Sequence, residues 1–285
     1  LIDPKVLEVI VTSADIHLGD RVLEVGPGLG VLTRALLEKG AKVVAIEQDR
    51  RMVDYLQRSI PPLKIRGGAE GGGDRVVHGD AAVLDWHALL GEGAWKFVAN
   101  LPYSITSLAL CKALWAPHPP QVTVVLVQCE VAERVVSVAD GSKHGKTSLP
   151  SLMIALACSS ARIVRLVPPT AFFPPPKVDS AVLQLVPMTW AERREKWGIE
   201  PEKIMAVAKR GFTHPRKFLV SNLGVPETSM ILHKLGLSEK VRAEDLSPVA
   251  WAQLTIQLST QHPHNVPHNA PLTARSASSK LRSRC

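Results

Sequence analysis

Leu23-Glu24-Val25-Gly26-Pro27-Gly28-Leu29-Gly30 is the stretch on which the fold turns. Arg21–Val25 reads as a short apolar strand and Val31–Lys39 as a helix, so the glycines join a first strand to a first helix. Glycine lets the backbone turn sharply and approach a ligand closely, and the helix behind it offers free N–H groups. The spacing is G-x-G-x-G, not the G-x-G-x-x-G of dinucleotide enzymes, and Glu24 precedes it within the strand.

Outward from this loop, strand-like and helix-like segments alternate. Lys42–Ile46, Arg75–His78, Phe97–Ala99 and Val122–Gln128 continue the strands, with helices over Arg51–Ser59 and Ser107–Trp115. This alternation predicts an α/β fold, a parallel sheet with helices on both faces. Arg162–Val167 and Ala181–Val186 flank a proline-rich turn and are expected to pair as an antiparallel hairpin. Pro61–Asp74 is glycine-rich and reads as a flexible connection. The apolar runs Val122–Cys129 and Leu152–Cys158 have the length of buried strands or of part of a core helix. From Trp190 to Leu258 the pattern is helical. The expected divisions are a catalytic domain over residues 1–188, a helical domain over 189–258 and a disordered basic tail over 259–285.

Composition narrows the function classes. At 285 residues and 46% hydrophobic the chain can bury a full core, and no apolar run reaches the length of a membrane helix. Cys111, Cys129, Cys158 and Cys285 form no C-x-x-C pair, so no metal site is expected. The first three read as core thiols in a reducing cytoplasm. The net charge of +8 is uneven: residues 1–188 hold 19 basic against 18 acidic side chains, 189–258 hold 11 against 8, and 259–285 hold 4 against none. A near-neutral domain followed by a segment that meets polyanions fits this distribution, as does a plain solvated surface.

Three positions at successive strand ends suit an adenosyl cofactor. Gly26 and Gly28 form the cradle. Glu47, closing the second strand, can accept both ribose hydroxyls, and Asp49 two residues on better fits a helix cap. Asp80, after the third strand, is placed to read an adenine amino group; turn formation is the alternative.

Asn100-Leu101-Pro102-Tyr103 follows the fourth strand and sets the chemistry. An adenine amino nitrogen is a poor nucleophile because its lone pair is delocalised into the ring. A side-chain amide oxygen and a backbone carbonyl, each accepting one of its hydrogens, favour the pyramidal nitrogen and aim its lone pair at a sulfonium methyl. Proline fixes the loop and tyrosine supplies a stacking face. In Thr170–Ser180, three prolines stiffen the chain, and Phe172 is expected to cover the other face of a flipped-out base, with Phe173 in the core.

Together, Glu24–Gly30, Gly79–Ala81, Asn100–Tyr103 and Phe172–Ser180 resemble the small-subunit ribosomal RNA adenine dimethyltransferases, the KsgA-like family, from Leu1 to about Leu258. The Pro-Pro-Pro-Lys-Val-Asp-Ser stretch is the most specific, and Arg242–Ser247 is similar to the family's C-terminal helical domain. The resemblance implies a Rossmann-like class I methyltransferase sheet with a small C-terminal helical domain. It also implies S-adenosyl-L-methionine as cofactor, and dimethylation of two adjacent adenosines in the 3′-terminal hairpin of small-subunit rRNA. The partner is then the assembling small subunit, with the protein a cytoplasmic monomer. Carried over by position, Leu1, Gly26, Glu47, Asp80 and Asn100 hold the cofactor. The family usually has Gln-Asn-Phe before the position of Leu1, and this chain starts without it, so weak cofactor binding is expected.

Lys209, Arg210, Arg216 and Lys217, with His214, form the densest basic cluster before the tail and are the expected RNA contacts. Pro215 and Val220 stand where the family commonly has arginines. Two rival readings are a large-subunit rRNA adenine methyltransferase of the antibiotic-resistance type and a non-catalytic ribosome-assembly factor. A dinucleotide oxidoreductase leaves Asn100–Tyr103 unexplained.

Overall fold

Capping residues mark where the chain switches between helix and strand. The computed structural model describes residues 1–60, 74–141 and 146–261. Asp3 caps helix α1 (Pro4–Ser13), accepting from the Lys5 N–H at 2.8 Å. Strand β1 (Arg21–Val25) leads through the glycine loop into α2 (Val31–Glu38). β2 (Lys42–Glu47) is followed by Asp49, which caps α3 (Arg50–Ser59). β3 (Arg75–His78), α4 (Trp86–Leu90), β4 (Lys96–Asn100), α5 (Thr106–Leu114) and β5 (Thr123–Gln128) continue the alternation. After β5 come α6 (Cys129–Ala139), α7 (Leu149–Ala157), β6 (Cys158–Val167) and β7 (Ser180–Pro187). The helices α8 (Trp190–Trp197), α9 (Pro201–Gly211), α10 (Leu219–Leu223), α11 (Thr228–Lys234) and α12 (Pro248–Gln261) complete the described chain.

The seven strands form one sheet in the order β3-β2-β1-β4-β5-β7-β6. β3, β2, β1, β4 and β5 pair in parallel, whereas β7 runs antiparallel to β5, with Gln128 opposite Ser180. Strand order reverses between β1 and β4, and a topological switch point of this kind sets a crevice at the carboxyl ends of the strands. Val22, Leu23, Phe97, Val98, Val124 and Val125 are fully buried, as continuous apolar strands covered on both faces must be.

The expected strands and helices are present, with no boundary moved by more than four residues and with β1 and β3 unmoved. The two late strands are neighbours as expected, but β7 inserts between β6 and β5, so the pair extends the sheet. Of the apolar runs, Val122–Cys129 is strand β5, while Leu152–Cys158 lies in helix α7 up to Ala157.

Two compact units account for the chain. Among the described residues the first comprises Leu1–Glu133 and Ser160–Pro187 and holds the sheet. The second comprises Arg134–Ser159 together with the chain from Met188 onward. The second unit thus takes in Arg134–Ser159 as well as the chain after Pro187. Helix α7 explains the excursion. Leu152, Ile154, Ala155, Leu156 and Ala157 are all buried, so most of this helix's surface is turned into a core, with Leu149, Pro150 and Met153 half-buried. It packs against α8, α9 and α12 of the second unit. The Trp197 indole N–H donates to the Leu156 carbonyl at 2.9 Å, and the Thr147 hydroxyl to the Leu246 carbonyl at 2.8 Å.

Three other expectations need correction. Of the three cysteines expected in the core, only Cys158 is buried; Cys111 and Cys129 are half-exposed. The buried positions of α5 are Thr106, Ala109, Leu110, Ala113 and Leu114, which leaves Cys111 off the core stripe. Helix α12 runs through Gln261, past the expected start of the tail. Residues 61–73 of the glycine-rich connection and 262–285 of the tail lie outside the described residues. Phe173 is 83% exposed instead of lying in the core. The backbone at Phe172 is extended (φ −126°, ψ 156°), so consecutive side chains point to opposite sides. Phe172 packs on the apolar core and Phe173 faces out.

Candidate active site

The loop after β1 is held from both sides. Gly26 has φ +71°, and its N–H donates to the Ile46 carbonyl at 2.9 Å. A Cβ there would stand 3.0 Å from two ring carbons of Pro102, so the glycine loop touches the loop after β4. Gly28, at φ +55°, has nothing within 4 Å on the side a Cβ would take, and its N–H donates to Glu47 Oε2 at 3.2 Å. Glu47 Oε1 accepts the N–H groups of Gln48 at 2.8 Å and Asp49 at 2.9 Å. Its carboxylate is thereby fixed at the end of β2 with lone pairs to spare for hydroxyl donors. Asp49 caps α3.

Beneath the loop lies Glu24, 1% exposed, whose Oε2 accepts the Thr33 hydroxyl at 2.6 Å. Burial pushes its carboxyl up to about 8. The Thr33 hydrogen bond opposes that rise, and the charge of Glu47 adds to it.

Asp80 follows β3. Its Oδ1 accepts the Ala82 N–H at 2.8 Å and its carbonyl accepts those of Val83 and Leu84 at 3.0 Å, which shapes a tight turn. Lys112 of α5 locks this turn: its ammonium donates to the carbonyls of Ala81, Ala82 and Leu84 and sits 5.2 Å from the Trp86 ring centroid. Burial lowers the Lys112 pKa, and the charges of Asp85 and Asp80 oppose that shift. No sequence pattern pointed to Lys112; its partners lie 28 to 31 positions away.

Asn100 ends β4 opposite Leu126, half-exposed at the carboxyl edge of the sheet. Leu101 is buried, and its N–H continues the ladder to the Leu126 carbonyl at 3.2 Å. The Pro102 carbonyl is taken up by the turn, accepting from the Ile105 N–H at 3.1 Å and the Thr106 hydroxyl at 3.3 Å. Tyr103 opens a single 3-10 turn, and its hydroxyl bonds the hydroxyl of Ser180 at 2.7 Å. Ser180, the last residue of the Pro-Pro-Pro-Lys-Val-Asp-Ser stretch, carried no role in the sequence reading. Leu1 packs beside the core, and the Ile2 N–H donates to the Ala171 carbonyl at 2.8 Å, next to Phe172. The first unit thus gathers Gly26, Gly28, Glu47 and Asp80 at successive strand ends, with Asn100–Tyr103 against Gly26.

The basic cluster lies in the second unit. Lys209 and Arg210 end α9, and Arg216 and Lys217 stand on the exposed turn before α10. The Asn222 amide donates to the carbonyls of Gly211 at 2.7 Å and His214 at 3.0 Å, which fixes that turn. Arg210 also has a structural task, since its guanidinium donates to the Leu223 carbonyl. Among the described residues, no helix is long and apolar enough to cross a membrane, and no group of three His, Cys, Asp or Glu could hold a metal ion.

Comparison with known proteins places this geometry. A family model described as ribosomal RNA adenine dimethylase matches residues 1–258. The ribosomal RNA small subunit methyltransferase A of Dehalococcoides mccartyi is 36% identical over 265 residues, covering 90% of this chain and 85% of the relative. That of Synechocystis is also 36% identical, covering 90% and 93%. Among solved structures, a dimethyladenosine transferase from Plasmodium falciparum is similar with a TM-score of 0.68 and 25% identity, over 92% of this chain and 98% of that one. The 23S rRNA methyltransferase ErmE, at TM-score 0.65 and 23% identity over 91% and 99%, is alike in fold. One continuous match takes in the glycine loop, Asn100–Tyr103 and Phe172–Ser180, and the chain belongs to the ribosomal RNA adenine dimethylase family.

Proposed function

We propose that the protein dimethylates the N6 amines of adenosines in small-subunit ribosomal RNA, using S-adenosylmethionine. The observation that carries this reading is the contact between Gly26 and Pro102, which brings an adenosyl-cofactor cradle against an amine-binding tetrapeptide. The cradle suits the cofactor: open space over Gly28 admits its backbone-hugging part, the Glu47 carboxylate faces the ribose hydroxyls, and Asp80 reads the adenine. Leu1, beside the Phe172 loop, completes the set.

When bound, the cofactor supplies an electrophilic methyl on a sulfonium. The chain's residues prepare the nucleophile. The Asn100 side-chain oxygen and the Leu101 carbonyl accept the two amine hydrogens, because the Pro102 carbonyl is already engaged in its turn. Tyr103 stacks on one face of the extruded adenine and Phe172 covers the other. Positioning and electrostatics do the work, and no strong base is required. After the first transfer the amine keeps one hydrogen, so the second transfer engages only one of these two acceptors.

The finer assignment is two adjacent adenosines in the 3′-terminal hairpin, within an assembling small subunit, by a cytoplasmic monomer. Names of relatives more than a third identical support the small subunit as target. The fold itself is shared with a large-subunit enzyme and does not separate the two. The helical unit is read as the RNA grip, through Lys209, Arg216 and Lys217. Charge reversal at Arg216 and Lys217 should weaken RNA binding about ten-fold or more and flatten its salt dependence; an unchanged salt slope removes the patch.

The deciding experiment supplies labelled S-adenosylmethionine to undermethylated small and large subunits in parallel, followed by nucleoside analysis. Dimethyladenosine on the small subunit alone is expected. Label on the large subunit alone overturns the assignment, and label on neither favours a non-catalytic assembly role.

A further inference from the structure

The hydroxyl pair Tyr103–Ser180 lies outside the methyl-transfer chemistry, yet it joins the two stretches that handle the target base. Ser180 is fully buried and sits at the first position of β7. It is held there by pairing opposite Gln128, and by the Asp179 carbonyl accepting the Cys129 N–H at 3.0 Å. Its Cβ is therefore fixed, and full burial confines its Oγ. Tyr103 stands 77 residues earlier on a short turn, half-exposed, and its hydroxyl reaches that Oγ at 2.7 Å.

An aromatic ring attached only at Cβ swings about χ1 and χ2, and stacking is lost when its plane tilts. A second anchor at the far end of the ring removes that freedom. We infer that Ser180 is a positioning residue for the methyl transfer, holding the plane of the Tyr103 ring so that the target adenine stacks in register with Asn100. The inference rests on the function proposed above and adds a residue to it. It also explains why the proline-rich stretch ends in a hydroxyl residue. Phe172 and Ser180 bracket the stretch, so one segment carries the group for one face of the base and the anchor of the group for the other.

Ser180→Ala should lower kcat for methylation of undermethylated small subunits about five-fold, the worth of one net hydrogen bond. KM for S-adenosylmethionine should stay unchanged. Tyr103→Phe removes the same bond from its half-exposed end and should lose a similar factor, and the double variant should lose no more than either single one. Wild-type kcat in Ser180→Ala, or losses that multiply in the double variant, would overturn the inference. If Ser180→Ala does not fold, Tyr103→Phe decides alone, and its wild-type kcat overturns the inference equally. The chain has two tyrosines, so selective ring labelling gives two NMR signals. In Ser180→Ala only the Tyr103 signal should shift and gain mobility, and an unmoved signal counts against the anchor. This readout needs no turnover, so a wild-type protein that methylates neither subunit sinks the parent reading and leaves the anchor to be judged by NMR.

Discussion

The two sides of the crevice are built on different principles. On the cofactor side, the contacts are short in sequence: Gly28 to Glu47 spans 19 residues, Glu47 to Asp49 two, Asp80 to Ala82 two. On the base side they are long: Tyr103 to Ser180 spans 77 residues. Local contacts form a rigid cradle from neighbouring strand ends. The base side is assembled from two distant segments, Asn100–Tyr103 and Phe172–Ser180, and the second anchors the first. In the proposed function, a fixed cofactor pocket faces a base pocket whose accuracy depends on the finished sheet.

Substitutions that load one side and spare the other test that contrast. The largest effect is expected from Asn100→Ala, which removes a proposed amine acceptor. The kcat for methylation should fall about 100- to 1,000-fold, with cofactor Kd by calorimetry nearly unchanged. Turnover close to wild type would end the mechanism. Glu47→Gln loads the other side. Loss of the charge proposed to face the ribose should raise cofactor Kd about 10- to 100-fold, with kcat at saturating cofactor much less affected. An equal loss in both would mean that the sides are not separable.

The smallest effect is a stability change on the cofactor side. Folded Glu24 keeps its proton to about 8, while in the unfolded chain it ionises in the ordinary carboxylate range. Its contribution is therefore full below that range and is lost as pH rises towards 8. Wild-type Tm should fall by a few degrees relative to Glu24→Gln between pH 5 and pH 8, and the difference should level off above that. Parallel Tm curves would place the carboxyl in a better-solvated setting.

The same contrast explains what could be read beforehand. Gly26, Glu47, Asp80 and Asn100 declare themselves because each sits at a strand end, and strand ends follow from local apolar patterning. Asp49 as a helix cap was legible for the same reason. Phe172 and Phe173 were not equally legible, because the backbone angle that turns one inward and the other outward is set by the loop around the prolines. Ser180 and Lys112 were opaque: a hydroxyl 77 residues from its partner and an ammonium bound to backbone carbonyls leave no mark in composition or spacing. The sheet was legible strand by strand, but β7 sliding between β5 and β6 was not, since pairing order depends on tertiary packing. The excursion of Arg134–Ser159 into the second unit was hidden for a similar reason. An apolar helix reads alike whichever core receives it.

That excursion also sets a timetable for synthesis. Helix α7 is complete when Ala157 leaves the ribosome, but α12, one of its covering partners, ends at Gln261. At about 5–20 residues per second, the intervening hundred or so residues take roughly 5–20 s. Through that interval one of the most apolar helices in the chain waits with its cover unfinished. The nascent protein therefore spends its most aggregation-prone seconds after its catalytic strands β1 to β5 have already been made.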